Sequence, residues 1–165
     1  MTHVVVLADT HLRPGSRRRL PDAAYAHLEA ADVVLHAGDI LVAAVLDELA
    51  GFAPVHAVLG NNDVELAGLL PEELVLDVDG VRVGMVHDSG QATGRERRMR
   101  RRFPDADLVV FGHSHIPWDA VGVDGQLLFN PGSPTERRRQ PHHTLGTLDL
   151  DDGRVVGHRI HRLDG

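Results

Sequence analysis

The sequence predicts an α/β fold in which two β-sheets pack face to face with helices outside. Three observations carry that prediction. Short apolar runs rich in β-branched residues alternate with helical patterns through the first half of the 165-residue chain. The second half is richer in strands, several of them joined at Asp-Gly turns. Hydrophobic residues make up 42% of the chain and charged residues 25%, enough apolar side chains for a core without staples. A single doubly wound sheet with an antiparallel edge is the alternative arrangement of the same elements.

Residues 3–8 (HVVVLA) read as the first strand, and 33–36 and 55–59 repeat the pattern. Such short continuous runs suit parallel strands covered on both faces. Between them, 22–31 and 41–49 read as helices, with Pro21 and Asp22 as start signals for the first. Residues 74–78 and 81–87 flank Asp79-Gly80 and read as a hairpin with a two-residue turn. An arginine-rich helix is expected over 95–103, ended by Pro104. Residues 108–111 form another buried strand, followed by 118–123 and 127–129 around Asp124-Gly125. The last hairpin joins 144–150 to 154–163 across Asp151-Asp152-Gly153. Pro and Gly punctuate the chain evenly, without a repeat or a linker-like cluster, so residues 1–165 read as one domain.

Composition excludes several function classes. With no cysteine, a disulfide scaffold, a thiolate metal site, an iron–sulfur cluster and a cysteine nucleophile are all ruled out. All 17 basic residues are Arg, against 24 acids, for a net charge of −7. Stable binding of duplex nucleic acid, which needs many cationic phosphate contacts, is therefore not expected. No apolar run approaches the ~20 residues of a membrane span, and the chain opens on a strand-like run rather than a signal peptide. A cytoplasmic protein is expected, with homo-oligomerisation left open. Twelve His stand beside one Trp, one Tyr and four Phe. Without Cys, a transition-metal site has to combine His nitrogen with Asp, Glu or Asn oxygen.

Polar residues follow the expected strands in five places: Asp9 and His11; Gly38 and Asp39; Gly60, Asn61, Asn62 and Asp63; His87; and Gly112, His113, Ser114 and His115. Each lies at the carboxyl end of an apolar strand, the edge where open α/β sheets bind ligands. Asp9 and His11 are two apart, as are His113 and His115. In extended chain, side chains at that spacing point the same way, so each pair can aim two ligands at one point. Any one of these pieces alone reads as turn or cap chemistry. Their recurrence in five loops, with ligand types that suit divalent metals, does not.

In its motif order the sequence resembles the calcineurin-like metallophosphoesterase superfamily: Asp9-Thr10-His11, Gly38-Asp39, Gly60-Asn61, His87, then Gly112-His113-Ser114-His115. The resemblance runs from residue 3 to about residue 133, ending in Asn130-Pro131-Gly132-Ser133, a turn common in the small bacterial and archaeal phosphodiesterase branch. It implies a four-layer α/β/β/α sandwich of two mixed sheets flanked by helices. It also implies a dinuclear phosphoesterase, foremost a phosphodiesterase, acting on a small phosphoester substrate with a metal-bridging hydroxide as nucleophile. One metal would be held by Asp9, His11, Asp39 and His115, and the second by Asp39, Asn61, His87 and His113. The ions would be divalent transition metals, manganese first, with Fe, Ni, Co or Zn as alternatives.

Two departures shape the catalytic expectation. Many members carry His where this chain has Asn62, which donates a hydrogen bond but supplies no acid. That favours diesters and good leaving groups, with Asp63 a partial substitute, and leaves Asn62, Asp63 and His87 as the catalytic set. After His87 the branch often reads His-Gly-His, whereas this chain reads His87-Asp88-Ser89, which gives Asp88 a place to orient a ligand histidine. The arginine runs 17–19, 97–102 and 137–139 read as solvated faces, 137–139 being the run placed to reach a phosphate. His27, His36 and His56 read as packing or surface residues, and His142, His143, His158 and His161 as surface. The alternative from another class is a non-catalytic metal-binding interaction module, because the superfamily includes a retromer subunit of that kind.

Overall fold

The computed structural model describes residues 1–164. Its elements are β1 (Thr2–Leu7), α1 (Asp22–Glu29), β2 (Val33–His36), α2 (Ala43–Ala50), β3 (Val55–Ala57), β4 (Glu73–Val78), β5 (Val81–Val86), α3 (Arg95–Arg102), β6 (Leu108–Val110), β7 (Trp118–Val121), β8 (Leu127–Asn130), β9 (Thr144–Asp151) and β10 (Arg154–Arg162). They build two five-stranded sheets, ordered β10-β9-β1-β2-β3 and β4-β5-β6-β8-β7. Both sheets are mixed. β1, β2 and β3 run parallel, with Val4 opposite Val33 and Val34 opposite Val55, and the β9–β10 hairpin joins β1 antiparallel. In the second sheet β5, β6 and β8 are parallel and β4 and β7 close the edges antiparallel.

Period-2 alternation sets the layers. Val4, Val6 and Leu35 of the first sheet pack with Val83, Met85, Leu108, Val110 and Phe129 of the second, forming the core between them. Val5, Leu7 and Val34 turn the other way onto Ala24 and Leu28 of α1 and Val45 and Leu49 of α2. Val86, Val109 and Leu128 pack outward on Met99 of α3 and on Phe103. The result is the expected four-layer sandwich, and the single doubly wound sheet is excluded.

Element ends moved by a few residues, each for a local reason. The helix expected from residue 41 begins at Ala43, because Leu41 is left-handed (φ 89°) and its N–H is held by the Asp63 carboxylate at 2.7 Å. The strand expected to reach 123 stops at Val121, where residues 123–125 form a short 3₁₀ turn around a left-handed Asp124. Asp79-Gly80 turns with φ of 49° and 80°, and Asp152-Gly153 with 44° and 80°; two successive positive values match the twist of tight hairpins. No helix of the described residues is long and apolar enough to cross a membrane.

The carboxyl ends of β1, β2, β3, β5 and β6 meet along one edge. Backbone bonds knit the loops there: Asp9 N–H donates to Gly38 C=O at 2.9 Å and Gly112 N–H to His87 C=O at 2.9 Å.

Candidate metal centre

Five of the expected ligands sit in left-handed backbone: Asp9 (φ 55°), His11 (46°), Asp39 (61°), His113 (72°) and His115 (62°). Side chains that are not glycine enter this region at a cost of roughly 1–3 kcal/mol each, and such residues gather at functional sites. This corrects the extended geometry expected for the Asp9–His11 and His113–His115 pairs. Each chain turns at both members instead. The turns are held by His11 N–H on Asp39 C=O at 3.0 Å and by His113 N–H on Asp9 Oδ2 at 3.0 Å. Close approach also requires glycine. A Cβ on Gly60 would stand 2.2 Å from the Asp39 backbone nitrogen and Oδ1, and one on Gly38 would stand 2.6 Å from His87 Nδ1.

The convergent atoms fall into two groups. Asp9, His11 and His115 form one, and Asp9, Asp39 and His87 the other, with the offered ligand atoms of each within 4.8 Å of one another. Asp39 Oδ2 lies 3.3 Å from His11 Nε2 and 3.4 Å from His87 Nε2, so it faces both. Asp9 Oδ1 lies 3.6 Å from His115 Nε2 and 3.8 Å from His87 Nε2, and so also stands between the groups. His87 Nε2 is 3.0 Å from Asn61 Oδ1, and His113 Nδ1 is 3.3 Å from the same oxygen. His113 is the outlier: it is half-exposed and stands at the mouth, its Nε2 3.8 Å from the Asp88 carboxylate. The His113–His115 pair therefore diverges, His115 inward to Asp9 and His113 outward to Asn61 and Asp88.

Tautomers show what the cluster is built to hold. His87 Nδ1 meets Ala37 C=O at 2.7 Å and His115 Nδ1 meets Glu136 C=O. A carbonyl only accepts, so both Nδ1 atoms carry a proton and both rings turn Nε2 toward carboxylate oxygens. Where the ring is neutral and the carboxyl ionised, acceptor faces acceptor, and a cation or a shared proton between them relieves the repulsion. Asp9 Oδ1, His11 Nε2 and His115 Nε2 are in addition buried with no hydrogen-bond partner among the described residues. Buried polar atoms without partners are rare, and an ion that is not present is one of their ordinary explanations. Ligand bonds of ~2.0–2.2 Å would place two donors on one metal roughly 3.0–3.5 Å apart at tetrahedral or octahedral angles. The residues fit a divalent cation in donor type and in spacing.

The field agrees. Burial pushes the Asp9 carboxyl up to about 7, against the opposing pull of His87. Burial also acts to raise Asp39, but hydrogen bonds from His87 and Asn62 outweigh it and hold that carboxyl well below the usual range. Burial lowers His11 and His115, which keeps them neutral. His87 is raised, because Asp39 and Asp9 overcome its burial.

Two expected catalytic residues also hold the Asp39 loop. Asp63 is buried, and its carboxylate accepts four backbone N–H groups: Asp39 at 2.9 Å, Ile40 at 2.8 Å, Leu41 at 2.7 Å and Gly60 at 2.7 Å. It braces the Asp39 loop. Asn62 donates its side-chain amide to Asp39 Oδ2 and its backbone N–H to Asp39 Oδ1, both at 2.9 Å, so it orients Asp39.

Other residues shape the site without a motif to mark them. His36 is fully buried, its Nδ1 accepting from Gly38 N–H at 3.1 Å and its Nε2 on Thr10 Oγ1 at 3.0 Å; burial lowers its pKa to about 3, so it stays neutral and ties the Asp9 loop to the Asp39 loop. Arg97, Arg101 and Arg102 of α3 are exposed, but Arg95 and Arg98 turn inward. Arg98 donates to Ser89 C=O at 2.7 Å and to Gln91 C=O, and Arg95 is buried over the rings of Phe111 and Trp118, each 4.8 Å away. They clamp the loop that follows His87.

Known proteins are similar to this chain in sequence and fold. A family model described as the calcineurin-like phosphoesterase superfamily domain matches residues 1–153. A "Probable metallophosphoesterase" of Methanothermobacter thermautotrophicus is 32% identical over 81% of this chain and 77% of its own. A single mutant of Vps29 from Entamoeba histolytica superposes with a TM-score of 0.75 at 25% identity, over 91% of this chain and 87% of that one. A structure described as a novel archaeal phosphodiesterase superposes with a TM-score of 0.71 at 21% identity, over 97% of this chain and 99% of that one. Ordered motifs, two-sheet sandwich and sequence match converge, and the chain belongs to the calcineurin-like phosphoesterase superfamily.

Proposed function

We propose that the chain, residues 1–165 acting as one domain in the cytoplasm, is a phosphodiesterase that works through two divalent transition-metal cations, manganese foremost. One observation carries the proposal: a single oxygen, Asp39 Oδ2, faces His11 Nε2 at 3.3 Å and His87 Nε2 at 3.4 Å. Asp9, His11, Asp39 and His115 would hold one cation, and Asp39, Asn61, His87 and His113 the other. When bound, the pair supplies positive charge that polarises a phosphoryl oxygen and makes water acidic enough to attack phosphorus.

The remaining tasks fall to the chain itself. Asn62 fixes the Asp39 carboxylate through two hydrogen bonds, and Asp63 fixes the Asp39 backbone. Arg138 is the member of its run whose charge bears on Asp9, His11 and His115, which suits a guanidinium that meets phosphoryl oxygens at the rim. With Asn62 and Asp63 both committed to Asp39, neither donates a proton to a departing oxygen. Diesters and esters with good leaving groups are therefore favoured over alkyl monoesters.

The test is a metal-by-substrate screen. Chelator-stripped protein is reconstituted with Mn, Fe(II), Co, Ni or Zn and assayed on bis(p-nitrophenyl) phosphate and p-nitrophenyl phosphate. Loss of activity on stripping, its return with metal and faster diester cleavage are expected. Tight metal uptake with no hydrolysis of either ester would favour the second reading, a metal-binding interaction module, for which the fold similarity to Vps29 speaks.

A further inference from the structure

We infer that Glu136 is a further ligand to the cation on the His11 side of the centre, an inference that rests on the two-cation proposal above. No motif of the superfamily order assigns this residue. It lies three residues beyond the Asn130-Pro131-Gly132-Ser133 turn, and the structure fixes it from several directions. Ser133 Oγ donates to Asp9 C=O at 2.8 Å and accepts Glu136 N–H at 2.8 Å. Thr135 Oγ1 donates to Thr10 C=O at 2.6 Å. Glu136 C=O accepts the Nδ1 proton of His115. The backbone of Glu136 is thus bound to the loops of two expected ligands, Asp9 and His115.

Its side chain reaches the edge of the Asp9, His11 and His115 group at His11. Glu136 Oε2 is 3.6 Å from His11 Nε2, the buried nitrogen that has no hydrogen-bond partner among the described residues. That separation equals the 3.6 Å between His115 Nε2 and Asp9 Oδ1 and is close to the 3.3 Å between His11 Nε2 and Asp39 Oδ2. Two donors that share one metal are expected roughly 3.0–3.5 Å apart at tetrahedral or octahedral angles. Glu136 therefore keeps the same spacing to His11 as the motif ligands keep to one another. Arg18 does not engage the carboxylate fully: its Nη2 is 3.8 Å from Glu136 Oε1, too far for a hydrogen bond, while its Nη1 donates to His11 C=O at 3.2 Å. Arg18 steers the carboxylate toward His11 and leaves its lone pairs to a cation.

A third carboxylate would hold its cation more firmly and lower the net positive charge that an anionic substrate meets. The experiment titrates metal-stripped wild type, Glu136→Gln and Asp39→Asn with Mn²⁺, following free Mn²⁺ by electron paramagnetic resonance. Gln keeps the backbone carbonyl on His115 and nearly the same shape, so the metal-free variant should match wild type in circular dichroism and unfolding midpoint. Two Mn²⁺ are expected in wild type; Glu136→Gln should weaken one of them by ~10-fold or more and leave the other within about threefold, whereas Asp39→Asn should weaken both. The Co²⁺-loaded variant should also show a shifted visible spectrum, which a packing role alone would not produce. Equal Mn²⁺ affinities and an unchanged Co²⁺ spectrum in Glu136→Gln overturn the inference while the two-cation proposal stands. Wild-type protein that takes up no Mn²⁺ overturns both.

Discussion

Replacing Asp63 by Asn separates a structural brace from a proton donor. The carboxylate accepts N–H groups from Asp39, Ile40, Leu41 and Gly60 at 2.7–2.9 Å, with each oxygen taking two. An amide keeps one oxygen and turns an NH₂ toward the other two N–H groups, so two bonds are lost and donors face donors. A buried hydrogen bond to a charged acceptor is worth about 1.5–3 kcal/mol, and the orphaned donors add their own desolvation cost. Local adjustment recovers part of this, which leaves an expected loss of about 3–5 kcal/mol, near the top of the range for single substitutions. For a chain of this size that is a fall of roughly 10 °C in melting temperature. Urea unfolding of the metal-free protein, followed by circular dichroism with the slope checked for constancy, measures it. A variant within about 1 kcal/mol of wild type would refute the brace, and selective loss of alkyl-ester cleavage with stability intact would return Asp63 to acid catalysis.

Further outcomes follow from the same geometry. Asp39→Asn should lower bound metal well below two equivalents and reduce diester hydrolysis by ~10³-fold or more, read by elemental analysis and kcat/KM. His115→Ala should empty the Asp9 side and His113→Ala should weaken the Asn61 side, so the two variants should retain different cations in a mixed Mn/Zn competition; identical profiles would contradict the divergence of the pair. In the metal-free protein Asp9, raised to about 7, and His87, raised above its ordinary value, keep their protons to higher pH than usual. Cation binding must expel them, so affinity should rise with pH through about 6–8 with proton release detectable by calorimetry in two buffers, and a flat profile would contradict the raised values. Across aryl and alkyl diesters, kcat/KM should fall steeply with leaving-group pKa, because neither Asn62 nor Asp63 supplies a proton.

What could be read from the sequence depended on where the information lies. Asp9, His11, Asp39, Asn61, His87, His113 and His115 stand out in the sequence as candidates because ligand chemistry restricts residue type and the α/β order places each after a strand. The two-sheet sandwich was legible from strand richness and from the Asp79-Gly80 and Asp152-Gly153 turns. The bracing bonds of Asp63 were hidden because its partners are backbone N–H groups of Asp39, Ile40 and Leu41, which no side-chain pattern marks. His36 looked like packing because its two bonds, to Thr10 and Gly38, exist only once β1 and β2 are paired. Arg98 looked solvated because a run of arginines carries no sign of which member turns back onto the Ser89–Gln91 loop, and nothing marked Arg95 as the one stacked on Phe111 and Trp118. The left-handed turns at five of the expected ligands were equally hidden, since residue type alone does not mark which Asp or His takes that conformation.

The central claim is that Asp39 stands between two cations, and anomalous diffraction from crystals of Mn²⁺-reconstituted protein tests it most directly. Two peaks roughly 3.5–4 Å apart are predicted, one beside His11 and His115 and one beside His87 and Asn61, with the Asp39 carboxylate between them. A single peak, or two peaks with Asp39 bound to only one, would contradict it.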